Sequence, residues 1–361
     1  MKYHEIVNYE KLDPFKRTAI EKFSDSIEFP SRLGLRIVPE TLGESAIAID
    51  FPEQDFYLAF NVEGLGTKNL IADAMSKDER GKGFKYYESA GIDTVAMSTN
   101  DLLSIGADAI AFGDIISSGN SDWFENKERN KYLLEGFKRA AEEIGMAIPC
   151  GETPTLKGII NEQTIDLAGA SVGIIKPKKN LTFGQNLKEG DAIIGLESSG
   201  VHANGISLIR KTVESLPKGY FTELPSGKIL GEEILTPTTL YTRAVIEMLN
   251  ETQINYLSGI TGHGWMKIMR AKKTFSYEID FVPEKSELFS YLQEITGIND
   301  REAYYTWNMG IGYTVIAPKE SEEKIISIAE KHGIKAFTLG KVMKGEKKVN
   351  IKPLKVVYEE N

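Results

Sequence analysis

Three separated stretches of this chain combine carboxylates with glycine, and that combination suits metal and phosphate chemistry. The first is Glu63-Gly64-Leu65-Gly66-Thr67-Lys68, directly after the aromatic and apolar run Phe56-Tyr57-Leu58-Ala59-Phe60. A carboxylate at a strand end can hold a metal, and the glycines let backbone N–H groups reach phosphate. The spacing is not that of a P-loop. A plain glycine turn between strand and helix is the alternative. The second stretch runs from Gly91 to Leu102. As a helix it stacks Asp93, Met97 and Asp101 along one side, with Asn100 near the rim. Acids on one ridge repel, and a divalent cation with a preference for oxygen relieves the repulsion. A solvated polar face is the alternative, but Val95, Ala96, Leu102, Leu103 and Ile105 surround these acids. In the third stretch, Cys150-Gly151-Glu152-Thr153-Pro154, Glu152 offers an oxygen ligand and Thr153 a hydroxyl, unless the segment is only a surface turn. Cys150 reads as a small buried apolar residue rather than a nucleophile.

The second half carries donors instead. Ser198, Ser199, Gly200, His202 and Asn204 lie between the apolar run Ala192–Leu196 and a helix with Arg210, as in a strand-loop-helix anion site or a capped loop. Gly259-Ile260-Thr261-Gly262-His263-Gly264 sets a histidine among glycines, a candidate to touch a ligand or a plain loop residue. Trp307-Asn308-Met309-Gly310-Ile311-Gly312 leads into a final core strand. His4 and His332 suggest no role.

The elements that must position these groups are strands and helices mixed throughout, so each half reads as α/β or α+β. A helix is predicted over 130–146, fraying at Gly145, and strands over 165–175, 192–196 and 312–317; a last helix covers about 321–332 before Gly333. At 361 residues two domains are expected. The proline and charges of Lys176-Pro177-Lys178-Lys179-Asn180 place the boundary there, giving 1–176 and 177–361. Hydrophobic content of 41% with 26% charged residues suits a globular protein. No apolar run approaches a membrane span. The single cysteine excludes an internal disulfide and fits a reducing cytoplasm. A net charge of −9 argues against a nucleic-acid partner.

Taken in order, these segments resemble the aminoimidazole ribonucleotide synthetases, also called phosphoribosylformylglycinamidine cyclo-ligases. The resemblance spans about 56–340. Besides the stretches above it includes Asp166-Leu167-Ala168-Gly169, Asn204-Gly205 and Leu235-Thr236-Pro237-Thr238. It implies an α/β (α+β) two-domain fold, with an N-terminal ATP-binding domain that forms a homodimer through its sheet and a C-terminal domain that closes the substrate cleft. ATP and Mg2+ are the implied cofactors and a small phosphorylated molecule the substrate. Such enzymes phosphorylate the amide oxygen of formylglycinamidine ribonucleotide, and an internal amine then closes the imidazole ring.

By the same resemblance Glu63, Asp101 and Glu152 are metal ligands. Gly64, Gly66, Thr67, Lys68, Asp93, Asn100, Gly151 and Thr153 meet or support the nucleotide. Ser198, Ser199, Gly200, His202, Asn204, Thr261 and Asn308 bind substrate, and Lys68, Asp101 and His263 are the catalytic candidates. This chain departs from the family pattern at Glu63, where aspartate is usual. It departs again at Gly259, where the usual histidine is replaced and His263 lies four positions later, and at Pro154-Thr155-Leu156-Lys157. The N-terminal nucleotide segment has no counterpart in 9–23. A sister ATP-dependent enzyme and a non-catalytic nucleotide-binding regulator are the competing readings.

Overall fold

A computed structural model describes residues 9–360; His4 lies outside them. The first half builds one six-stranded mixed sheet. Its strands are β1 (Arg36–Ile37), β2 (Ile47–Asp50), β3 (Tyr57–Gly64), β4 (Asp108–Ser118), β5 (Ala147–Glu152) and β6 (Ile165–Ile175), in the order β1-β2-β3-β6-β4-β5. Only β4 and β5 pair in parallel. Successive side chains alternate between faces. Along β3 Ala59 and Asn61 are therefore buried, while Phe60 and Val62 stay 39% and 59% exposed on the outer face. Glu63 opposes Gly169, Gly169 opposes Asp114, and Asp114 opposes Gly151. This row lies on the inner face, and it fixes where the acids go.

The α-helices of this half among the described residues are α1 (Tyr9–Phe23), α2 (Asn69–Ser76), α3 (Tyr87–Leu103) and α4 (Lys127–Ile144). α3 packs on the inner face of the sheet, and all of its residues except Glu88 are buried. α3 and α4 cross where each carries glycine: a Cβ on Gly91 would lie 2.4 Å from the Leu133 carbonyl oxygen, and one on Gly136 2.1 Å from that of Glu88. Gly145 ends α4 in the left-handed region, as its position predicts.

The second half forms a seven-stranded sheet from β7 (Ala192–Glu197), β8 (Tyr256–Gly259), β9 (Ser276–Ile279), β10 (Ile311–Ala317), β11 (Ala336–Met343), β12 (Lys348–Ile351) and β13 (Val356–Glu359). The order is β13-β12-β9-β11-β7-β10-β8, antiparallel except between β12 and β9. β10 is buried at every position and β7 from Ala192 to Leu196, as continuous apolar runs require. Helices α5 (Ile206–Val213), α6 (Leu230–Ile234), α7 (Thr242–Glu251), α8 (Glu287–Thr296), α9 (Asp300–Thr306) and α10 (Glu322–Lys331) complete it. Ile311 opposes Glu197, and Tyr313 opposes Gly259. The loops after β7 and β8 and before β10 therefore gather at one end of the strands, where β8 meets α3 of the first half. No helix among the described residues is long and apolar enough to cross a membrane.

Candidate functional site

A buried helix carrying serine, asparagine and aspartate needs a partner for each polar group. Asn61 accepts from the Ser98 hydroxyl at 2.8 Å, and Ser98 also meets Ser171 at 2.5 Å. Asn100 donates to the Thr239 carbonyl and accepts from the Tyr241 N–H, at 2.8 and 3.2 Å. Asp93 accepts from the N–H and hydroxyl of Thr238, at 2.7 and 2.6 Å. Its other oxygen lies 2.7 Å from Lys68 Nζ, and neither side chain is exposed. Lys68 also donates to the Thr236 carbonyl at 2.9 Å. Burial lowers its pKa, and Asp93 opposes that shift. Lys68 and Asp93 were expected at the nucleotide; here they are sealed in a strut joining α2 and α3 to the segment 235–241. The cation that relieves Asp93 is a lysine, not a metal.

The other aspartate of α3 has different company. Asp101 and Glu63 lie within hydrogen-bonding reach of each other, and burial together with the Asp101 charge pushes the Glu63 carboxyl up to about 7. Asp101 is buried, and its Oδ1 has no hydrogen-bond partner among the described residues. Two converging carboxylates with a spare buried oxygen fit a magnesium ion, which takes one or two protein carboxylates and completes its shell with phosphate and water. Glu152 does not join them. It opposes Ile115, on the outer face and three strand positions from β3, so the pleat turns it away from Glu63. Among the described residues no group of three or more acids, histidines or cysteines is placed to hold a metal. The expected three-carboxylate convergence is thus corrected to a pair. Gly151 and Thr153 are exposed beside Glu152 at the same sheet edge. Cys150 is exposed too, contrary to the buried role expected of it, because β5 is an edge strand.

The glycine segment ends β3 and caps α2. Gly66 sits at φ 75°, Leu65 N–H donates to the Leu167 carbonyl at 2.8 Å, and Gly64 leads into that turn. Thr67 Oγ1 lies 3.3 Å from Ser207 Oγ across the two halves. Opposite, Asn308 orders the donor loops: it accepts from Ser198 Oγ and Gly310 N–H and donates to the Gly200 carbonyl, at 2.9, 2.9 and 2.8 Å. Ser199 is exposed and bonds to the Pro237 carbonyl at 2.5 Å and Thr239 at 3.1 Å. His202 is buried at φ 57° beside Gly312, whose missing Cβ would fall 2.4 Å from the imidazole Cε1. Burial, then the Lys68 charge, depresses its pKa to about 3, so the ring is neutral. Asn204 Nδ2 is buried without a partner among the described residues. His263 meets Tyr305 edge-on at 5.7 Å between ring centroids.

Three ionisable residues of this region escaped sequence reasoning. Lys267 donates to Thr261 Oγ1 and lies near Asp101 and Glu63; its signal was a lone cation in the apolar run Trp265-Met266-Lys267-Ile268-Met269. Asp114 occupies the inner row, its carboxyl raised by burial; an acid inside a strand was the clue. Glu44 accepts from Tyr256 at 3.1 Å, and nothing in its local sequence singles it out.

Residues 43–175 match the N-terminal domain of AIR synthase related protein, and residues 188–352 match its C-terminal domain. The chain therefore belongs to the AIR synthase related family. Its curated relatives include the phosphoribosylformylglycinamidine cyclo-ligase of Methanocaldococcus jannaschii, 35% identical over 332 residues, which are 91% of this chain and 85% of that one. The enzyme of the same name from Pyrococcus horikoshii is 35% identical over 316 residues, 87% of each chain. Among solved structures, AaThiL complexed with AMPPCP and TMP superposes with a TM-score of 0.61 at 16% identity, over 98% of this chain and 96% of the other. Escherichia coli HypE, a hydrogenase maturation protein, gives 0.58 at 17%, over 84% and 85%. Those two likenesses concern the two-domain α/β fold alone.

Proposed function

We propose that this chain is an ATP- and magnesium-dependent phosphoribosylformylglycinamidine cyclo-ligase. The observation that carries the reading is the Glu63–Asp101 pair, set at the junction where the first-half glycine turn meets the donor loops of the second half. Identity of 35% to the curated cyclo-ligases across more than four-fifths of both chains supports the substrate. An amide oxygen leaves poorly until it is phosphorylated, so the protein's task is alignment and charge neutralisation. Glu63 and Asp101 would hold the magnesium ion, which supplies positive charge to the transferring phosphoryl group. The Ser198–Gly200 loop, ordered by Asn308, positions the phosphorylated substrate, and neutral His202 and the Lys68–Asp93 strut keep the two halves in register.

The active form in this reading is a homodimer. Phe60, Val62, Ile110 and Ile115, all at least 39% exposed, leave the outer face of the first sheet apolar, and such a face suits a second copy of itself. Phosphate release with formylglycinamidine ribonucleotide tests the proposal. Turnover upholds it; ATP binding without turnover moves the chain to a sister substrate or a regulatory role; no ATP binding removes both.

A further inference from the structure

The Glu63–Asp101 pair has a cation facing it that makes no contact with it. Lys267 sits in the short helical turn 264–269 that follows the Gly259–Gly264 loop. It is half-buried, and its loop meets the pair: a Cβ on Gly259 would lie 3.6 Å from Asp101 Oδ1 and 3.7 Å from Cγ2 of Thr261, the residue that Lys267 bonds. Its hydrogen bond goes to Thr261 Oγ1, leaving two ammonium protons. Among the described residues no carboxylate comes within ion-pair contact of it, although Asp101, Glu63 and Glu44 all attract it from further off. Glu44 is held by Tyr256 and is raised by burial, with Arg270 opposing the rise. Arg270 is itself committed to the Gly43 carbonyl and Ser45. Lys68, the other enclosed lysine, is in contact with Asp93. Two lysines at the junction of the halves are therefore treated differently: the sealed one is neutralised, while the half-buried one is left with spare donors across from two carboxylates, one oxygen of which has no hydrogen-bond partner among the described residues.

Desolvating an ammonium without a contacting anion is costly, and folds retain such an arrangement where a ligand supplies the anion. A gap with carboxylates on one wall and an ammonium on the other matches a metal-bound phosphoryl group: the metal takes the acid side and the lysine a phosphoryl oxygen. The geometry points to Lys267 as a direct contact for an ATP phosphate oxygen, opposite the Glu63–Asp101 metal wall. This rests on the nucleotide-dependent reading above.

The test compares wild-type protein with Lys267→Met, and uses Lys267→Arg as the conservative variant. AMPPNP and ribose 5-phosphate affinities are measured by calorimetry and Mn2+ affinity without nucleotide by electron paramagnetic resonance. Losing a charge-assisted bond to phosphate weakens AMPPNP about 10- to 100-fold. Removing a cation near the carboxylates makes Mn2+ bind a few-fold tighter, since the local potential becomes more negative. Lys267→Arg restores most of the nucleotide affinity. Opposite signs for the two ligands uphold the inference. A fall in both indicates a structural role, no change in AMPPNP binding indicates no contact, and weakening confined to ribose 5-phosphate assigns the lysine to the substrate's phosphate; each of these overturns it. Wild-type protein that binds no AMPPNP overturns the parent reading as well, an outcome visible before any variant is made.

Discussion

Asp93 and Asp101 occupy one helix two turns apart, and the surroundings of α3 treat them in opposite ways. Asp93 is saturated, with Lys68 at 2.7 Å and two bonds from Thr238. Asp101 is set against a second acid, Glu63, and one of its oxygens has no hydrogen-bond partner among the described residues. A contacting lysine turns a buried carboxylate into architecture. A neighbouring carboxylate leaves it with charge that only a ligand can satisfy. Side-chain type and helical spacing do not distinguish the two; the compensating partner does.

The comparison breaks first at the strut. Asp93→Ala leaves Lys68 enclosed without its anion and should cost about 3–5 kcal/mol in urea denaturation. A Lys68→Met, Asp93→Leu double variant should recover most of that loss, since two apolar side chains replace the pair. A cost below about 1 kcal/mol for the single variant would show that the strut does not hold the halves. Asp101→Asn should behave in the reverse manner. Its fold should persist, and magnesium-dependent ATP binding should fall by at least about 100-fold in calorimetry, because the remaining acid binds a divalent ion alone. Retained binding removes the metal assignment.

The acid pair also carries a pH signature. The folded Glu63 pKa, about 7, lies above its ordinary 4.5. The folded state therefore holds this proton more tightly than the unfolded chain does, so stability is full below pH 4.5 and declines as pH rises toward and through 7. In metal-free protein the decline should be on the order of 2 kcal/mol, and Glu63→Gln should flatten it. Denaturation midpoints between pH 5 and 8 measure both. His202 acts in the other window: its depressed pKa means stability is lost as pH falls from 6.5 toward 3. The two slopes oppose each other between pH 4.5 and 6.5, so the difference between wild-type and Glu63→Gln profiles isolates the Glu63 contribution.

Much of the scaffold was legible. Apolar runs placed β6 at Ile165–Ile175 as observed and β7 and β10 within a residue, since period and composition report burial directly. The ridge of Asp93, Met97 and Asp101 was also readable, because helical stacking is local. What the ridge would meet was not. Lys68 finds Asp93 across 25 positions and Thr236 across 168, and Lys267 comes near Asp101 across 166. Glu152 failed for a subtler reason. Its motif was recognisable, but which face it takes depends on a register between β4 and β5 that shifts between Ala111 and Gly113, and a one-residue slip reverses every side chain.

That reversal sets up the smallest effect, and the one that most sharpens the contrast between inner and outer faces. Glu152 is exposed and three strand positions from the pair. Glu152→Gln should therefore change stability by less than about 0.5 kcal/mol and leave Mn2+ binding by a single chain untouched. If the outer faces of two copies come together, Glu152 approaches the partner's residues, and its role would then exist only in the dimer. Phe60→Lys, which charges that face, provides the monomer for comparison. Should Glu152→Gln weaken Mn2+ binding equally in both backgrounds, the acid acts within its own chain and the division between the faces fails. A loss confined to the dimeric background would place Glu152 at a site that two chains share.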